Sequence, residues 1–138
     1  MFLNVLSADQ QRLFLDAAAT MLSVDGDVAS AEAALLEGAR IECGLEYEPQ
    51  QRSLDELAAA AMSSLTERPA RNAFLLELAG TMVVDGEEAP EEVELLVALA
   101  KVLDVSDEAL AEFVAFGRQA LDLVASGQAL VALGREQA

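Results

Sequence analysis

The chain has 138 residues, of which 54% are apolar and 24% charged, with three prolines and eight glycines; that balance excludes disorder and suits a globular chain that buries somewhat over two-thirds of its unfolded surface. Twenty-five acidic against eight basic side chains give a net charge of −17, which repels nucleic-acid phosphates and anionic lipid and leaves divalent cations or a basic protein as natural partners. The absence of histidine removes the usual general base, zinc ligand and near-neutral pH switch, so no enzyme is expected.

Alanine and leucine dominate, which favours helix throughout. The first helix is predicted from Ser7, where S-A-D-Q offers a capping box, to about Val24, with Leu13, Phe14, Ala17 and Met21 on one face. Gly26 would end it. A second helix, about 30 to 43, carries Leu35, Leu36, Ala39 and Cys43 inward and stops at Gly44. A third lies between Pro49 and Leu65, with another capping box at Ser53 and Glu56. A fourth runs from Pro69 to about Val84, and a fifth from Pro90 to Leu103, both prolines suiting first-turn positions. Val93, Leu95, Leu96, Val97, Leu99, Val102 and Leu103 wrap nearly every side of the fifth helix, so it is expected at the buried centre. The sixth starts at Ser106 with Leu110, Phe113, Val114, Leu121 and Val124 at helical spacing, and Gly127 is expected to separate it from a short C-terminal helix. No alternating strand pattern appears.

Cys43 has no second cysteine to pair with and reads as a small buried hydrophobe. The opening MFLNVLSADQQR lacks the basic region and cleavage pattern of a secretory signal. No apolar run approaches membrane-spanning length, so a cytoplasmic setting without membrane insertion is expected.

A shift of sixty places aligns FLDAAATMLSVDGDVASAEAALL with FLLELAGTMVVDGEEAPEEVELL, with ten identities and no gap. The pattern implies one all-α domain over 1–138, a compact bundle of six to seven helices built from two helix-loop-helix halves at about 7–65 and 69–125. Each copy writes Asp-Gly, five residues, then Glu. G-x5-E is the second half of an EF-hand calcium loop. The front half fails, because the first and third ligand positions fall on Met21 and Ser23 in one copy and on Thr81 and Val83 in the other. What remains is a corner that gathers Asp25, Asp27 and Glu32 in the first copy and Asp85, Glu87 and Glu92 in the second, hard oxygen donors of the kind Ca²⁺ or Mg²⁺ prefers. Glu87, Glu88, Glu91, Glu92 and Glu94 crowd the second corner, and like charges four apart on a helix repel, which a divalent cation would relieve. The same residues also read without an ion: Asp-Gly is an ordinary helix stop, and a glutamate in the next first turn favours the helix dipole or caps its own helix.

These stretches, ATMLSVDGDVASAEAALL and AGTMVVDGEEAPEEVELLVALAKVL, resemble the tellurite-resistance TerB-like domains over roughly Ser7 to Val124. The resemblance implies a duplicated helical bundle with an acidic motif at each corner, a cytoplasmic protein, and a metal-binding or metal-sensing role in stress response. It places the acidic positions at Asp25, Glu32, Asp85 and Glu92, with Gly26 and Gly86 shaping the corners. The alternative function is an acidic interaction module that binds a basic partner without metal. A paired-carboxylate hydrolase would need a deep pocket holding several acids, of which the sequence gives no sign.

Overall fold

The computed structural model describes residues 1–23, 30–84 and 89–134, apart from the side chains at 30–33 and 35. A 3-10 turn at Leu3–Val5 precedes six α-helices: α1 (Ala8–Ser23), α2 (Ser30–Cys43), α3 (Leu54–Ser64), α4 (Arg68–Val83), α5 (Pro90–Val102) and α6 (Asp107–Val131). Among the described residues there is no strand, and the fold is all-α.

Local chemistry sets most of these limits. At the start of α1 the Gln10 N–H donates to Ser7 Oγ at 3.3 Å while the Ser7 N–H donates to Gln10 Oε1 at 2.9 Å, a reciprocal cap that satisfies two otherwise orphaned donors. Ser53 and Glu56 form the same box before α3, and Ser106 Oγ accepts from the Ala109 N–H before α6. Gly44, at φ 67°, follows α2, and Asp104, at φ 56°, follows α5. Both adopt the left-handed geometry that closes a helix, which aspartate tolerates better than most residues. After Asp104 the Val105 N–H reaches back to the Ala100 carbonyl at 2.9 Å, and Val105 is buried against the core.

The helix limits repeat. α1 and α4 begin and end sixty residues apart, α2 and α5 begin sixty apart, and the left-handed residues Gly44 and Asp104 are sixty apart. α1 packs on α2 and α3 as α4 packs on α5 and α6. Where α1 meets α4, the matched residues Phe14 and Phe74 touch each other edge to face, ring centres 6.0 Å apart at 87°, a favoured aromatic geometry. The halves differ ahead of their third helices: Gly44 to Ser53 in the first, Asp104 to Ser106 in the second.

The core forms one cluster, with Phe14, Leu15, Met21, Leu57, Phe74, Leu75, Leu78, Leu96 and Leu99 all but sealed from solvent. Its centre is α4, which packs on α1, α5, α6 and the N-terminal turn. This corrects the expectation of a central α5, whose Val93, Val97 and Val102 are only half-buried. A helix apolar on most sides is permitted everywhere in a core; the neighbours that the chain brings to it decide which side stays wet. Gly127 does not divide α6, which runs on to Val131. One glycine in a helix costs about 1 kcal/mol, which the surrounding Ala, Leu and Gln residues outweigh.

The α4–α6 crossing is close. A Cβ on Gly117 would lie 3.2 Å from Val83 Cγ2 and 3.3 Å from the Gly80 Cα, so Gly117 lets α6 approach the α4 backbone. Arg68 and Arg71, in the first turn of α4, tie other helix ends together. Arg71 Nε donates to the Leu65 carbonyl at 2.7 Å and its Nη1 to the Leu103 carbonyl at 3.2 Å, while Arg68 Nη1 donates to the Asp104 carbonyl at 2.9 Å. Cations there meet carbonyls that α3 and α5 leave unpaired.

Candidate functional site

The two corners join α1 to α2 and α4 to α5, at equivalent points of the halves. Asp25, Asp27, Asp85 and Glu87 lie outside the described residues, as do Gly26, Gly86 and Glu88. Glu32 belongs to the first turn of α2, its side chain likewise outside the description. Glu92 is the corner candidate whose side chain is described. It sits in the first turn of α5 beside Pro90 and Glu91, and it is only 3% exposed, a rare position for a carboxylate. Ala89, the residue that caps α5, contributes no side-chain hydrogen bond. Its two first-turn acids complement the positive end of the helix. Glu91 and Glu94, by contrast, face solvent. Among the described residues no three acidic or cysteine side chains gather at metal-ligating distance.

A second polar cluster escaped sequence reasoning. Asp16 stands in the apolar run LFLDAAA and is 1% exposed. Its Oδ1 accepts from the Tyr47 hydroxyl and the Gln50 N–H, both at 2.8 Å, and its Oδ2 accepts from Arg52 Nε at 2.7 Å. One turn on, Thr20 Oγ1 accepts from the Arg52 N–H at 2.9 Å, and Ser23 Oγ then accepts from the Gln51 side chain at 2.9 Å. The extended segment between Gly44 and Ser53 is thereby fastened along one stripe of α1. In the second half the positions matching Asp16 and Thr20 are Leu76 and Gly80, and the matching loop is short. The polar stripe is present where there is a long loop to hold. The available signal was a lone charged residue, Asp16, inside the apolar run from Leu13 to Ala19.

Burial pushes the Tyr47 phenol above its ordinary value, and its hydrogen bond to Asp16 adds to the shift. The hydrogen bond to Asp16 raises the Arg52 guanidinium further. This constellation is an anchor: its carboxylate is filled by donors from the chain itself, and nothing reactive faces a cavity.

Cys43 is half-buried, less than expected, and burial followed by the charges of Glu42 and Glu77 raises its thiol pKa. It therefore carries little thiolate near neutrality. Close by, a cleft of about 260 Å³ opens between α2, α4, α6 and the N-terminal turn, with Phe2, Phe14, Phe116 and Ala120 among its walls. The Phe2 and Phe116 rings meet at a tilt of 55°, centres 6.0 Å apart. Glu77, the carboxylate of the cleft, accepts from the Phe2 N–H and lies 3.1 Å from the Met1 amino group. Glu77 is thus engaged within the chain.

The fold and the corners together define an all-α bundle of two matched helical halves, each with an acid-rich connection. Searches against protein-family profiles, curated proteins and solved structures return no match. Among the described residues no helix is long and apolar enough to cross a membrane.

Proposed function

We propose that the protein is a non-enzymatic, TerB-like domain of stress response whose acidic corners take up a divalent cation, Ca²⁺ or Mg²⁺, and pass that state to a partner protein in the cytoplasm. The observation that carries this reading is the recurrence of the corner. The helix that precedes each Asp-Gly ends, and the helix that contains the following Glu begins, at a sixty-residue spacing, so two connections at equivalent places in the halves carry acidic oxygen donors. The buried Glu92 adds a carboxylate withdrawn from bulk water beside the second corner.

The ligands are Asp25, Asp27 and Glu32 at one corner and Asp85, Glu87 and Glu92 at the other. Without front-half ligands, affinity falls at the weak end, on the order of 10⁻⁴ to 10⁻³ M. Calorimetric titration of CaCl₂ and MgCl₂ into metal-free protein tests this, repeated on Asp85→Asn/Glu87→Gln, which leaves the buried Glu92 untouched. Weak binding by the wild type that the variant loses supports the reading; identical flat isotherms end it.

A second reading has its own support. Arg12, Arg40, Arg52, Arg68 and Arg71 are each engaged by acids or carbonyls of the chain, which leaves a surface of excess acid for a basic partner. Such binding would weaken steeply with salt and ignore chelators.

A further inference from the structure

α6 packs on the body from Leu110 to Leu121, with Ala120 and Leu121 in the wall of the cleft, but beyond Leu121 every described residue is exposed. Leu123, Val124, Leu130 and Val131 are 74%, 56%, 70% and 88% exposed, and Leu133, just past the helix, is 78% exposed. From Gln119 to Gly134 the chain carries one charged residue, Asp122, although a quarter of the whole chain is charged. Contiguous apolar surface of this kind marks an interaction site.

The spacing says what covers it. Phe116, Leu123 and Leu130 are seven apart, as are Val124 and Val131, the repeat that keeps one seam of a helix facing a partner helix. Ala120 and Gly127 repeat at seven as well. Gly127 is the informative one. Gly117 is required inside the chain by its crossing with Gly80, whereas a Cβ on Gly127 would meet nothing within 4 Å. A mid-helix glycine that weakens the helix, with no use inside its own fold, fits a close approach by another backbone.

Charge narrows the occupant. The stretch has no basic residue to hold anionic lipid or nucleic acid and no acidic cluster to hold a basic peptide. A second copy supplies the same uncharged heptad stripe. Antiparallel pairing also places the two acidic bodies at opposite ends of exposed helix segments about 15 Å long, beyond the Debye length of about 8 Å at physiological salt.

We propose that the distal half of α6 is a self-association seam through which two copies of this chain pair antiparallel, with Gly127 near the two-fold axis. With the axis there, Leu130 meets Val124 of the second copy, and Leu133 reaches Leu121 at the mouth of its cleft. Two heptads make a short seam, so the dimer is reversible.

Sedimentation equilibrium of the full chain into the high micromolar range provides the test, with Leu123→Glu/Leu130→Glu as the variant. Both leucines are solvent-exposed in the monomer, so the variant keeps its fold, checked by circular dichroism. The wild type is expected to shift with concentration from the 14.6 kDa chain mass to twice that mass. The variant is expected to associate about a hundredfold more weakly, from four leucines no longer buried at the seam. Gly127→Ala should weaken the dimer while raising monomer stability. A wild type that stays monomeric at every concentration, an assembly larger than two, or a double variant that dimerises as before would each overturn the proposal.

Discussion

Replacing Asp16 with alanine removes the single acceptor that serves Tyr47, Gln50 and Arg52. Hydrogen bonds to a charged group contribute about 1.5 to 3 kcal/mol each, and a simple sum would exceed the loss, because the segment can peel away and rehydrate. The Arg52 side chain is already 37% exposed and reaches water with little rearrangement. Breaking a buried ion pair by deleting one partner costs about 3 to 5 kcal/mol; rehydration of Arg52 brings the expectation to about 2 to 4 kcal/mol. Urea unfolding measures the loss, and hydrogen exchange locates it, since the amides of Gln50 and Arg52 should lose protection before those of α4. A cycle with Arg52→Ala should show coupling of about 0.5 to 3 kcal/mol. A loss below about 1 kcal/mol, with both amides still protected, would refute the anchoring role.

Other consequences follow from the same packing. Gly117→Ala should destabilise by about 1 kcal/mol or more, the clash with Val83 and Gly80 outweighing the gain in helix propensity; Gly38→Ala on α2, where a Cβ meets nothing, should stabilise by about 0.5 to 1 kcal/mol. Thermal unfolding of the two variants reads the opposite signs. Leu99→Ala, at a fully buried position, should lose about 2 to 5 kcal/mol in urea unfolding. The raised phenol pKa of Tyr47 stabilises the fold below its unfolded value of 10.0, and that stability is lost as pH rises through the higher folded value. Spectrophotometric titration should place Tyr47 ionisation above that of free tyrosine, and Tyr47→Phe should flatten the alkaline loss of stability.

Helix ends were legible in the sequence because their chemistry is local. Ser7 with Gln10, Ser53 with Glu56, and Pro69 and Pro90 each act within one turn, and the helices begin where these residues stand. The internal match also carried through to the sixty-residue repeat of helix limits. What escaped was decided by partners far along the chain. Asp16 is bound by residues 31 to 36 positions away in an irregular segment, which no periodicity announces. The apolar faces of α4 and α5 look alike in sequence; the crossing with α6 at Gly80 and Gly117 put α4 at the centre. Along the stripe of α6, Leu121 still reaches the cleft and is half-buried, whereas Val124, one turn on at the cleft's edge, is more than half exposed. Of the six corner acids, Glu92 alone has a described side chain; its place in a first turn was readable from the chain, its burial was not.

The claim that the corners are cation sites is tested most directly by soaking crystals in Mn²⁺ and recording anomalous scattering. The account predicts two peaks sixty residues apart in sequence, one within coordination distance of Asp25, Asp27 and Glu32 and one of Asp85, Glu87 and Glu92. Featureless anomalous maps at both corners, in crystals where Mn²⁺ scatters from other positions, would contradict it.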